Sequence, residues 1–186
     1  MAVIDLASVE QVKGYLGINS NADDPVLERL VTSASGYIQH WLNRDLGQEA
    51  YTDTVNGNDS DTMLFRNWPV TAVTAVSING QAIPASTSSF APGYINDSQA
   101  VYLRGHRFTR GRLNVVITYT AGYTDANLPA EITQACIEMI ALRYREKDRI
   151  GLSSKGLAGE QINFSGKDMA DSTRHILEQH RKVWPG

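Results

Sequence analysis

Cysteine is almost missing from this chain: one, Cys136, stands among 186 residues. An internal disulfide is therefore excluded. The lone thiol falls on the apolar stripe of a helix-patterned stretch, where it reads as a small buried hydrophobe rather than a nucleophile. Such usage suits a reducing compartment. No apolar run reaches the roughly 18 residues of a membrane span, and no basic amphipathic stretch suits a membrane surface. The N-terminus carries no basic region followed by an apolar run, so no signal peptide is expected. Charge of one sign is lacking too: 17 Lys and Arg face 20 Asp and Glu, a formal net charge of −3. A mildly acidic chain is poorly suited to tight sequence-independent DNA binding, which draws its affinity from many phosphate neutralisations.

Catalytic signatures are equally scarce. His175 and His180 are five apart, off a common helical face, and no HExxH, cysteine pair or carboxylate cluster accompanies them. Ser153-Ser154-Lys155 lacks the spacing and partners of a Ser–Lys hydrolase. No phosphate-cradling glycine motif precedes a helix. The expectation is a protein that is not an enzyme, with no metal and no cofactor. The Asn56-Gly57-Asn58-Asp59 turn lacks the distal Glu of a calcium loop and reads as a solvated hairpin tip.

What the chain does have is periodicity. From Leu128-Pro129-Ala130-Glu131 no Gly or Pro intervenes until Gly151, long enough for one helix of roughly 30 Å. Ile132, Ala135, Cys136, Met139 and Ile140 form one stripe; Ile137, Ala141 and Tyr144 form another. A helix so widely apolar packs against several neighbours. Ser8-Val9-Glu10-Gln11 reads as a capping box opening a short helix that ends at Gly17. Asp24-Pro25 opens a longer one, with Leu27, Leu30, Val31, Ala34, Ile38, Trp41 and Leu42 at three- and four-residue intervals. Leu30 and Ile140 are expected in the core. Residues 168–184 carry a last helix with a thin apolar face: Met169, Thr173, Ile176, Leu177 and Val183.

Between the helices the period drops to two. Strands are expected at 51–55 and 62–65 (as a hairpin), 70–78 and 81–83 about Asn79-Gly80, 94–95, 101–103 and 113–119. The fold class is therefore α+β: a helical core of two long helices plus short N- and C-terminal helices, formed by residues 1–50 and 120–186. An antiparallel β region, residues 51–119, is inserted into it.

Two stretches are candidate contact surfaces. The glycine-rich arm 151–166 places Ile162 and Phe164 at alternating positions, apolar groups a neighbour would cover, and such an arm can add to a sheet edge. With Glu160, and with Arg174, Arg181, Lys182 and Trp184 of the terminal helix, it forms a candidate partner or oligomer surface. Arg104, Arg107, Arg110 and Arg112 form a basic cluster that suits nucleic acid, an acidic partner surface, or simply solvent on a hairpin face.

The order of elements resembles the tailed-phage head–tail connector (adaptor, or head-completion) proteins. The matching features are the Leu6–Leu16 helix, the Asp23-Asp24-Pro25 start with a helix through Trp41-Leu42-Asn43-Arg44, and Arg66-Asn67-Trp68-Pro69-Val70 before a β run ending in Asn79-Gly80. Above all, Tyr119-Thr120-Ala121-Gly122-Tyr123 is followed by Leu128-Pro129-Ala130-Glu131-Ile132. The β region is an addition to the mostly helical short members. The resemblance implies a structural virion assembly protein, made in the bacterial host cytoplasm and placed at the head–tail interface. It implies a homo-oligomeric ring that binds the portal protein and a tail-side completion protein, with DNA passing through the channel unread and no membrane involved. The alternative is a β-rich interaction module of a phage tail or baseplate assembly.

Overall fold

A computed structural model describes residues 4–88, 90–147, 154–157, 160–163 and 169–182. The chain divides into two compact units, residues 1–45 with 127–186, and residues 46–126.

In the first unit, α1 (Val9–Leu16) starts with a capping box: Ser8 Oγ accepts the Gln11 N–H while Gln11 returns the bond to the Ser8 N–H. Gly17 ends it in the left-handed conformation. Helix α2 (Asp24–Leu42) has Asp23, not Asp24, at its cap position and buries Leu27, Val31, Ala34, Ser35, Ile38, Gln39 and Leu42. Leu30 sits half-buried beside that face, so the inward stripe is rotated from the expected one. Helix α3 (Ala130–Glu146) buries both of its predicted stripes except Tyr144, and α1, α2 and α4 (Asp171–Glu178) all pack on it. Ser35 links the layers: it accepts the Leu6 N–H at 2.8 Å and lies 3.8 Å from Cys136 Sγ. Burial raises the Cys136 pKa to about 11, in keeping with a packing role. At the open end of α3, the Tyr144 hydroxyl donates to Asp23 at 2.6 Å, with Lys147 3.5 Å from the same carboxyl group. That hydroxyl, aided by Lys147, holds Asp23 below the usual carboxylate range.

The second unit overturns the expected architecture of a helical core with an inserted β region. The protein is a β-rich α+β fold, and its strands build a core of their own. Strands β1 (Glu49–Gly57), β7 (Gly111–Ala121), β3 (Val70–Ile78) and β4 (Gln81–Ile83) form a four-stranded sheet in the order β1-β7-β3-β4. Strands β2 (Thr62–Leu64), β6 (Ala100–Arg104) and β5 (Gly93–Asn96) form a three-stranded one in the order β2-β6-β5. Val76, Ile78, Val115, Ile117 and Tyr119 from the first sheet meet Met63, Tyr94, Val101 and Leu103 from the second, with Phe65 and Phe108 between. Inward side chains from two sheets thus close on each other instead of leaning on helices. Helix α3 ends at Glu146, short of the expected 149.

The expected 51–55 and 62–65 strands do not pair as a hairpin: β1 pairs with β7 and β2 with β6. The turn between them, like the 105–110 loop between β6 and β7, carries the chain from one sheet to the other. Asn79-Gly80 does close the expected β3–β4 hairpin.

Tyr119 is the centre of this core. Its ring lies 4.7 Å from that of Phe65 and 5.7 Å from that of Tyr51. Its hydroxyl donates to Asp53 at 2.6 Å and accepts the Asn67 N–H at 3.2 Å. Burial, and then the Asp53 carboxylate, push its pKa far upward. Gly122 follows at φ 112°, where a side chain would run into the Gly47 carbonyl.

Candidate assembly surface

Helix α4 is bound to its own chain by more than its apolar face. Leu177 is fully buried and Thr173 nearly so. The Thr173 hydroxyl donates to the Glu138 carboxylate of α3 at 2.9 Å, and His180 Nε2 lies 3.3 Å from Glu131 at the other end of α3. After the helix, the Lys182 N–H donates to the Leu42 carbonyl at 2.9 Å. The Arg181 guanidinium stands 5.3 Å from the centre of the Trp41 ring, a cation–π distance. A groove of about 270 Å3 remains beside it, lined by Tyr15, Met139, Leu142, Arg145, Ala170 and Thr173 among others.

The terminal residues expected to face a partner are thus partly engaged at home. Arg181 and Lys182 are held against the end of α2, whereas Arg174 is exposed and pairs with Glu178 at 3.5 Å; an exposed pair of this kind adds little stability. The partners of α4 were less visible in the sequence. Nothing local in the sequence marks Glu138 as the partner of Thr173, which is placed there simply on the apolar face of the last helix.

The arm forms an antiparallel hairpin, β8 (Ser154–Leu157) with β9 (Glu160–Asn163), which sets Lys155 opposite Ile162 and Leu157 opposite Glu160. It makes a two-stranded sheet of its own. Phe164 and Trp184 lie outside the described residues.

The arginine cluster sits where β6 hands over to β7. Arg104 Nη1 donates to the Ser88 carbonyl at 3.3 Å and Arg107 Nη1 to the Asp59 carbonyl at 2.9 Å; Arg107, Arg110 and Arg112 are exposed. The cluster and the terminal helix belong to different units. Among the described residues no three His, Cys, Asp or Glu side chains gather as a metal set, and no helix is long and apolar enough to cross a membrane.

A family model described as "head completion protein" matches residues 5–183, and the chain belongs to that family, structural proteins of the phage head–tail region. None of the curated proteins compared with it matches. Its fold is shared with chains of gene transfer agent (GTA) particles. It is similar to one in the neck of an empty particle computed with C6 symmetry, at 20% identity and TM-score 0.57. It is similar also to one in the neck of a native particle computed with C12 symmetry, at 19% identity and TM-score 0.57. A third, from the virion of a native particle, has 18% identity and TM-score 0.58. Each alignment covers 100% of this chain and 94% of the other.

Proposed function

We propose that this protein assembles as a homo-oligomeric ring at the head–tail junction of a virion, between the portal protein and a tail-side completion protein. The carrying observation is the match of the head completion family over residues 5–183. The shared fold with chains from GTA necks computed with C6 and C12 symmetry supports a cyclic arrangement. DNA passes through the channel and is not read. The chain is made in the host cytoplasm and ends in the virion.

The oligomer contacts in this reading come from the arm, with Glu160, Ile162 and Phe164, and from the terminal segment, with Arg174, Arg181, Lys182 and Trp184. A short hairpin paired only with itself is marginal in water, so a neighbouring copy that pairs with its edge would stabilise it. The Arg104, Arg107, Arg110 and Arg112 cluster is a second contact surface.

The test is to mix the purified protein with purified portal rings and follow co-sedimentation, with negative-stain microscopy of the pelleted complex. Wild type should form a coaxial ring on the portal. Ile162→Asp combined with Phe164→Asp should abolish the ring while leaving the circular dichroism spectrum unchanged. A variant that still closes a ring refutes the role given to the arm.

A further inference from the structure

An open sheet edge is a template for a further strand, and folds blunt such edges by keeping them short, by Lys or Pro, by bulges or by covering them. Three of the four edges of the two larger sheets are blunted in this way. Strand β4 has three residues. Strand β2 also has three, and its Thr62 is engaged by nearby side chains: the N–H donates to Ser60 Oγ and the carbonyl accepts from Asn58 Nδ2, each at 3.1 Å. Strand β5 is covered by residues 84–86. The Tyr94 N–H donates to the Pro84 carbonyl and the Tyr94 carbonyl accepts the Ser86 N–H, each at 2.9 Å.

Strand β1 is the exception. It is nine residues long and pairs with β7 alone among the described residues. Its register irregularity comes only at the far end, between Val55 and Gly57. Residues 49–55 include no Pro, Lys or Arg. Ala50, Thr52 and Thr54 on the exposed face are small or β-branched, so nothing bulky or cationic guards the approach. In an antiparallel pair alternate residues turn both N–H and C=O away from the partner strand, and that outer row is what a further strand would use. The charges of this stretch are two carboxylates, Glu49 and Asp53, both on the half-buried face.

The hairpin supplies the complement. It is a two-stranded sheet of its own, marginal as such in water. The charged residue of β8 is Lys155, whereas that of β9 is Glu160. We infer that β8 of one copy adds to the β1 edge of a neighbouring copy, with Lys155 within reach of Glu49 and Asp53. Backbone hydrogen bonds supply the affinity of such a joint and the side chains its selectivity. Docking through β9 would bring a third carboxylate to an acidic edge. Two β1 edges pairing with each other would crowd four carboxylates along one joint, and like charges on facing strands repel. Because β1 and β8 are different surfaces, the contact is head-to-tail, the kind that closes into a ring. The inference rests on the ring reading above and names one of its joints.

Hydrogen–deuterium exchange of the full chain, in dilute solution and assembled on purified portal rings, tests it, with sedimentation reporting assembly. The outward amides of residues 49–55 should exchange about tenfold or more slowly in the assembled protein than in the dilute one. Lys155→Glu should weaken assembly and lose that protection at an unchanged circular dichroism spectrum, and adding Glu49→Lys to it should recover both. Rings whose 49–55 amides exchange as in dilute protein, or a Lys155→Glu variant that assembles as wild type does, overturn the inference and leave the ring reading standing. Full protection already present in dilute monomer would mean that the edge is covered within its own chain, which also overturns it. A wild type that forms no ring on the portal overturns the ring reading itself, a separate result.

Discussion

Single residues decide how tightly the two sheets and their turns close. At Gly122 the N–H donates to the Pro69 carbonyl at 2.9 Å, and the absent side chain lets the Gly47 backbone approach. Gly122→Ala combines left-handed strain with a backbone collision and should cost about 2–4 kcal/mol, read as a lower urea midpoint at unchanged slope. Asp97 caps the β5–β6 turn: its carboxylate accepts the N–H groups of Gln99 and Ala100, each at 2.7 Å, and the Tyr102 hydroxyl at 2.8 Å. These bonds, the backbone pair first, hold Asp97 below the usual carboxylate range. A depressed acid stabilises the fold above its unfolded-state pKa, and that share is lost as pH falls through the lowered folded-state value. Asp97→Asn should therefore flatten the acid limb of stability. Urea midpoints taken from neutrality down to about pH 2 would check it, and identical limbs for variant and wild type would contradict it.

At the scale of elements, periodicity located nearly every helix and strand but not their partners. The capping box of α1 was legible because its bonds are local. The inward face of α2 was read slightly off, since Leu27, Leu30 and Val31 all fit a three-to-four repeat and only packing against α3 chooses among them. Leu27→Ala should cost about 2–5 kcal/mol and Leu30→Ala clearly less, the difference being the test in parallel denaturant melts. The β1–β2 stretch looked like a hairpin because alternation and a turn are local signals. The true partners, β7 for β1 and β6 for β2, lie far along the chain, and pairing at that distance leaves no local trace. The two-sheet core is hidden for the same reason: β-branched runs show which faces turn inward, not that two such faces meet each other. Within the candidate surface, the cationic end of the terminal segment was visible, but Trp41 beneath Arg181 was not. Helix α4 adds a checkable energy here. Leu177→Ala should cost about 2–4 kcal/mol, and a cost under about 1 kcal/mol would mean that α4 does not dock as described.

At the scale of the whole molecule, the fold offers a docked terminal helix in one unit, a two-sheet core in the other and a hairpin arm. In the proposed ring, head-to-tail contacts between identical copies close into a cyclic assembly when the rotation allows. Family membership identifies a head completion protein; the ring between portal and tail is the central claim. The most direct test is a cryo-electron microscopy reconstruction of the neck in purified virions. The account predicts a closed ring of density, lying between the portal and the tail, into which this chain fits with its two-sheet core and α3 resolved. Density for the chain at the distal tail or baseplate, or a neck ring into which it does not fit, would contradict the account.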